Sequence, residues 1–208
     1  LDAIFFSPHK FLGAPGSSGV LIYDSKSYKN PTPDHPGGVT VDWTNPWGEY
    51  KYIDDIEARE DGGTPGFLQA IRTALSIEVK NRMGTENMKK REDELVKKAL
   101  TTMREIPGVS ILADNVEDRL GVLSFYIEGI HYNLVVKILN DRYGIQVWGG
   151  CACAGTYGHY LLNVTYEDSH AIANLISSGD LSVKPGWIRA SLHPTMTDHE
   201  LDMLLQAV

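Results

Sequence analysis

Short apolar runs and helical apolar stripes take turns along this 208-residue chain. Ala3-Ile4-Phe5-Phe6 and Val20-Leu21-Ile22-Tyr23 are apolar runs of strand length, which predicts two buried strands. Between them, Gly13-Ala14-Pro15-Gly16-Ser17-Ser18-Gly19 predicts a flexible reversal that lays the second strand beside the first. Phe67, Ile71, Ala74, Leu75 and Val79 recur at spacings of three and four, so a helix with one apolar face is expected from Phe67. Gly84-Thr85-Glu86 interrupts it, and a second helix runs through Leu95, Ala99, Leu100 and Met103 to Pro107-Gly108. Its run from Lys89 to Glu94 reads as a solvated face with helical ion pairs.

Further on, strands are expected at 109–112, 121–127, 145–148 and 187–192. Helices are expected from Asn133 to the stop at Gly144, from Glu167 to Ser178, and from Glu200 to Val208 behind a cap at Thr197 or Asp198. Residues 25–50 break the pattern with Pro, Gly, Asn and Asp around Trp43, Trp47 and Tyr50. They read as a long loop, either a plain ordered excursion or an interface or substrate entrance. The expected organisation is a strand-and-loop region over 1–66, connecting helices over 67–107, and an α+β domain over 108–208.

Charge narrows the partners. A net charge of −8 disfavours nucleic acid and anionic membrane surfaces. No apolar run approaches the roughly 20 residues of a membrane span. No signal peptide is visible, and because Leu1 is not a natural start, residues upstream of it are expected. The two cysteines, in Cys151-Ala152-Cys153, are too close for a comfortable structural bridge, which favours a reducing cytoplasm.

The candidate chemistry begins at Ser7-Pro8-His9-Lys10-Phe11-Leu12-Gly13. Pro8 ends the first strand, so His9 and Lys10 sit on a turn at its end. A lysine among Phe5, Phe6, Phe11 and Leu12 is expected to be partly desolvated, which makes its amine a nucleophile suited to a Schiff base. The plain alternative is a lysine that snorkels out of a hydrophobic turn. The glycine loop after it lacks the Gly-Lys-Ser/Thr ending of a nucleotide phosphate loop. Thr64, with Pro65 behind it, is expected to cap the helix that follows, and its hydroxyl with that helix N-terminus suits a phosphate group as well. Cys151, Cys153 and His159 lack a convincing fourth ligand for a metal site.

Four of these segments, in order, resemble the class V aminotransferase family of pyridoxal 5'-phosphate (PLP) enzymes. They are Ser7-Pro8-His9-Lys10, Arg59-Glu60-Asp61-Gly62-Gly63-Thr64-Pro65, Gly149-Gly150-Cys151-Ala152-Cys153-Ala154 and Trp187-Ile188-Arg189-Ala190-Ser191-Leu192. The third is similar to the cysteine loop of the family's cysteine desulfurases and selenocysteine lyases. The resemblance implies that Lys10 bonds the cofactor covalently, and that Ser7 and His9 hydrogen-bond its phosphate. Thr64 would reach the phosphate of a neighbouring subunit, hence a homodimer. Arg189 would grip the substrate α-carboxylate through its planar fork. Cys153 falls where desulfurases place the nucleophile that takes sulfur as a persulfide, a role that needs a thiolate. Cys151 lies where some relatives carry histidine. A sulfur-acceptor protein is a further partner the resemblance implies.

The fold implied is α/β, the C-terminal portion of a fold-type I PLP-dependent transferase. It comprises the last strands of the large domain, the connecting helices and an α+β small domain. Members are considerably longer, with their lysine near mid-chain, whereas this chain begins nine residues before Lys10. The aspartate that pairs with the pyridine nitrogen and the histidine that stacks on the ring are therefore expected upstream. Three positions depart from the family pattern. Pro8 stands at a small-residue position, Trp148 stands where many desulfurases have arginine, and His193-Pro194-Thr195 replaces Tyr-Asn-Thr. The reading is a cysteine desulfurase that releases alanine. The alternatives are a class V aminotransferase without persulfide chemistry, or a non-catalytic fragment without PLP.

Overall fold

The computed structural model describes residues 1–208, and the chain divides into two compact units, 1–85 and 86–208. The expected connecting segment 67–107 is shared between them. Its first helix belongs to the first unit and its second, after Thr85, to the second unit. Gly84 makes the break, because its φ of +78° ends the first helix in a conformation that glycine adopts at little cost.

In the first unit, β1 (Ala3–Phe6) and β2 (Val20–Tyr23) form an antiparallel pair, with Phe6 opposite Val20. The reversal through Gly13–Gly19 is as the sequence predicts. The burial is not. Phe5, Leu21 and Ile22 are exposed, because a two-stranded ribbon has no second layer to cover either face. The expected loop at 25–50 also holds more structure than its composition suggests. A hairpin of β3 (Val41–Thr44) and β4 (Tyr50–Tyr52) turns through Asn45, whose side-chain oxygen accepts from the Trp47 and Glu49 backbone N–H groups. A short helix α1 (Ile56–Glu60) follows, capped by Asp55.

Helix α2 (Phe67–Met83) begins where the apolar stripe starts, but it packs in the opposite sense. Phe67, Ile71, Leu75 and Val79 are exposed, while Thr73 and Ser76 on the polar side are buried. The Thr73 hydroxyl meets Ser18 and donates to the Gln69 carbonyl, so the helix rests on the glycine loop through hydrogen bonds.

The second unit is a two-layer α/β sandwich. Strands β5 (Val109–Ile111), β6 (Val122–Ile127), β7 (Trp148–Gly150) and β8 (Trp187–Ser191) make an antiparallel sheet ordered β5-β6-β8-β7. Helices α3 (Thr85–Met103), α4 (Tyr132–Tyr143) and α7 (Asp198–Ala207) cover one face. Leu95, Ala99 and Met103 from α3 and Leu139 from α4 meet Leu123, Phe125 and Ile188 from the sheet and Leu201 from α7. Each leucine, isoleucine, methionine or phenylalanine buried this way contributes about 1.5–3 kcal/mol. Arg91 on α3 joins the layers by bonding the Met196 carbonyl and Asp198 at 2.9 Å each. Helices α5 (Gly155–Leu161) and α6 (Tyr166–Ser177) fill the segment between β7 and β8. The sequence signalled α6 but not α5, and it set β7 earlier, at 145–148, than its observed span.

Candidate functional site

The candidate residues fall in both units, and each set has its own local geometry. In the first unit, β1 runs into a single 3₁₀ turn, Pro8–Lys10, with Ser7 as its N-cap. Pro8 is buried and its carbonyl accepts from the Phe11 N–H at 2.7 Å. The Phe6 and Phe11 rings stack at 5.9 Å and brace the two ends of the turn. This brings Ser7, His9 and Lys10 together, with all three side chains exposed. The expected desolvation of Lys10 is not found within this chain, since Phe5 and Leu12 are themselves 82% and 52% exposed. The Ser7 hydroxyl makes no cap bond.

A hydroxyl, an imidazole and an ammonium on one short rigid turn, none committed to an internal partner, form a donor set that fits a phosphate-bearing carbonyl cofactor.

Thr64 is not the cap of α2. That place falls to Gly66, and the Phe67 N–H turns back to the Pro65 carbonyl at 3.0 Å, so the helix starts two residues later than expected. Thr64 is left exposed beyond Gly63, whose N–H donates to the Gly38 carbonyl at 2.9 Å.

In the second unit the cysteine loop leaves the end of β7. Gly149 lies against α4 so closely that a Cβ there would stand 2.8 Å from Val136 Cγ2. Cys151-Ala152-Cys153-Ala154 then form a tight turn closed by the Ala154 N–H donating to the Cys151 carbonyl at 2.8 Å. Its central residues, Ala152 and Cys153, have φ of +48° and +64°, the left-handed pair of a type I′ turn that usually recruits glycine or asparagine. Cys153 is therefore an exposed thiol at the apex of a strained turn.

Cys151 is half-buried, and its thiol donates to the Pro185 carbonyl at 3.1 Å, which ties the loop to the segment entering β8. Burial, and then the Cys151 thiol, push the Tyr132 phenol above its usual range. His159, weighed above beside the cysteines, is engaged elsewhere. Its Nδ1 meets the Gly155 carbonyl at 2.9 Å and must carry the proton, so Nε2 accepts from the Ser169 hydroxyl at 2.9 Å.

Arg189 lies on β8 between Ser124 of β6 and Trp148 of β7. Its neighbours Ile188 and Ala190 point into the core, so the arginine occupies the opposite face of the sheet. Trp187 shares that face. Its ring packs against Gly158 on α5, where an added Cβ would also meet the Cys151 sulfur at 3.5 Å. The structure thus brings Cys151, at the foot of the cysteine loop, beside Trp187 on the sheet face that also bears Arg189. The sequence did not show the part played by α5 or the pairing of Trp148 with Arg189, because both depend on the register of β7 against β8.

The class V aminotransferase model matches residues 1–204. The chain belongs to that family. A probable cysteine desulfurase of Staphylococcus aureus is 31% identical over 153 residues, covering 74% of this chain and 36% of its own length. The apo cysteine desulfurase of Thermococcus onnurineus superposes with a TM-score of 0.74 at 27% identity, over 99% of this chain and 45% of that one. C-DES, in a variant with glycine covalently linked to its PLP cofactor, shares the fold at 17% identity and a TM-score of 0.61, over 90% of this chain and 40% of its own. The chain spans less than half the length of these relatives.

Proposed function

We propose that this class V chain serves a PLP-dependent enzyme that takes sulfur from cysteine. The observation that carries the reading is the exposed Cys153 thiol, presented at the apex of a type I′ turn that follows β7, the strand paired with the Arg189 strand β8. Family membership and the desulfurase relatives support it. Ser7 and His9 hold the cofactor phosphate and Lys10 is the amine that bonds the cofactor, while Thr64 serves the phosphate of a second subunit in a homodimer. When bound, PLP supplies the electron sink for the substrate carbons.

Arg189 binds the substrate carboxylate, and the Cys153 thiolate attacks the substrate sulfur. The Cβ–S bond breaks as an S–S bond forms, and Cβ keeps the electron pair and gains a proton. Alanine leaves, and Cys153 holds a persulfide for a thiol acceptor protein. A reducing cytoplasm suits such a thiol.

Cys153→Ala is the direct test, with sulfide and alanine measured from cysteine under reductant. Sulfur release is expected to fall by at least about a hundredfold, the scale on which a lost covalent nucleophile acts. Undiminished release would leave aminotransferase-family chemistry without a persulfide as the function.

A further inference from the structure

We propose that Trp148 is a positioning residue for Arg189, holding the guanidinium in the plane that receives a substrate carboxylate; the substrate role of Arg189 rests on the function proposed above. Trp148 and Arg189 are direct partners across the antiparallel β7–β8 pair, so their side chains leave the same face of the sheet side by side. The Arg189 guanidinium carbon stands over the indole at 5.6 Å from the ring centroid, which is cation–π range. Its Nε is buried without a hydrogen-bond partner. On the other flank stands Ser124 of β6.

The chain gives Arg189 no carboxylate of its own, in contrast to Arg91 and Arg104, which are both held in ion pairs. A long flexible side chain with a free cation would ordinarily sample many rotamers, and ordering it would be charged against ligand binding. The indole removes much of that disorder in advance. The ring borders the guanidinium and, with Nε buried, the two terminal NH₂ groups are the ones offered for bidentate contact with a planar carboxylate. Trp148 itself is 52% exposed, so its ring forms an outer wall of the place where the carboxylate arrives.

The test compares Trp148→Phe, Trp148→Leu and Trp148→Ala in the full PLP-loaded protein. Leucine keeps apolar bulk without a π face, whereas phenylalanine keeps the π face. The readouts are KM and kcat for L-cysteine and the Kd for L-alanine by calorimetry. Leucine and alanine at this position are expected to raise KM and Kd about two- to fivefold with kcat unchanged, and phenylalanine is expected to restore most of the loss.

A further readout needs no activity. The Arg189 Nε–H proton resonance, shifted upfield by the indole ring current, is expected to move downfield in Trp148→Leu. An unmoved resonance, equal behaviour of the Leu and Phe variants, or a fall in kcat at constant KM would each overturn the positioning role. A wild-type protein that neither turns over cysteine nor binds alanine, yet shows the resonance shift, would overturn the proposed function while leaving the Trp148–Arg189 stack standing.

Discussion

Ala152 is the residue at which the second unit stores strain beside Cys153. A non-glycine residue in the left-handed region costs about 1–2 kcal/mol, and Ala152 at φ +48° is followed at once by Cys153 at φ +64°. Two such neighbours persist because the chain entering the turn is fixed, by Gly149 against α4 and by Cys151 against Pro185, and the turn is closed by the Ala154 N–H bond to the Cys151 carbonyl. Ala152→Gly is expected to stabilise the folded unit by up to about 1 kcal/mol, since glycine accepts that φ freely, offset by its larger unfolded-state entropy. The same change loosens the apex, so sulfur release is expected to fall while thermal stability holds or rises. Thermal unfolding alongside single-turnover persulfide formation checks both. A stable, fully active Ala152→Gly protein would show that the strain has no part in presenting Cys153.

At the scale of elements, α7 illustrates what local sequence can specify. The Thr197 hydroxyl accepts from the Glu200 N–H at 3.2 Å, and Glu200 accepts from the Thr197 N–H at 2.7 Å, a complete capping box. The Thr197 N–H, and then its hydroxyl, hold the Glu200 carboxyl below its usual range. The Arg91 guanidinium does the same for Asp198. Both pKa values are lowered by folding, so the stabilisation from these groups is present above the ordinary carboxylate range and is lost as pH falls through their lowered values. Thr197→Ala is expected to cost about 1 kcal/mol near neutral pH and progressively less in acid, as followed by thermal unfolding across pH. A penalty independent of pH would show that the capping box is not coupled to Glu200.

A cap at Thr197 or Asp198, which the structure gives to Thr197, the Gly144 stop and the core stripe of α3 were all legible because each is encoded within one or two turns of chain. Helix α2 was legible as a helix, but not in how it packs. Its stripe from Phe67 to Val79 marks an amphipathic helix, while burial depends on what lies against it, and here that is Ser18 against Thr73. The Thr64 cap was misread because Pro65-Gly66 moves the first helical residue to Phe67, a shift of two positions that composition does not reveal.

On the scale of the whole chain, the two units are built differently. Residues 86–208 enclose one continuous apolar core between sheet and helices. Residues 1–85 hold two separate two-stranded ribbons and are stabilised largely by hydrogen-bonded loops, with Arg59 bonding the carbonyls of Asn30, Ile53 and Asp54 from its buried position. The order of the four motifs along the chain carried the family resemblance, and the family match over residues 1–204 agrees with it. Residue order does not carry burial, which is why the turn at Ser7–Lys10 was located correctly and its expected desolvation was not found.

Whether Lys10 is the cofactor lysine, as proposed, is tested most directly by borohydride reduction of the PLP-treated protein followed by peptide mass mapping. A reduced phosphopyridoxyl group is expected on the peptide that carries Lys10, and is expected to be lost in Lys10→Ala. A protein that retains PLP after reduction on some other lysine, or takes up none, would contradict it.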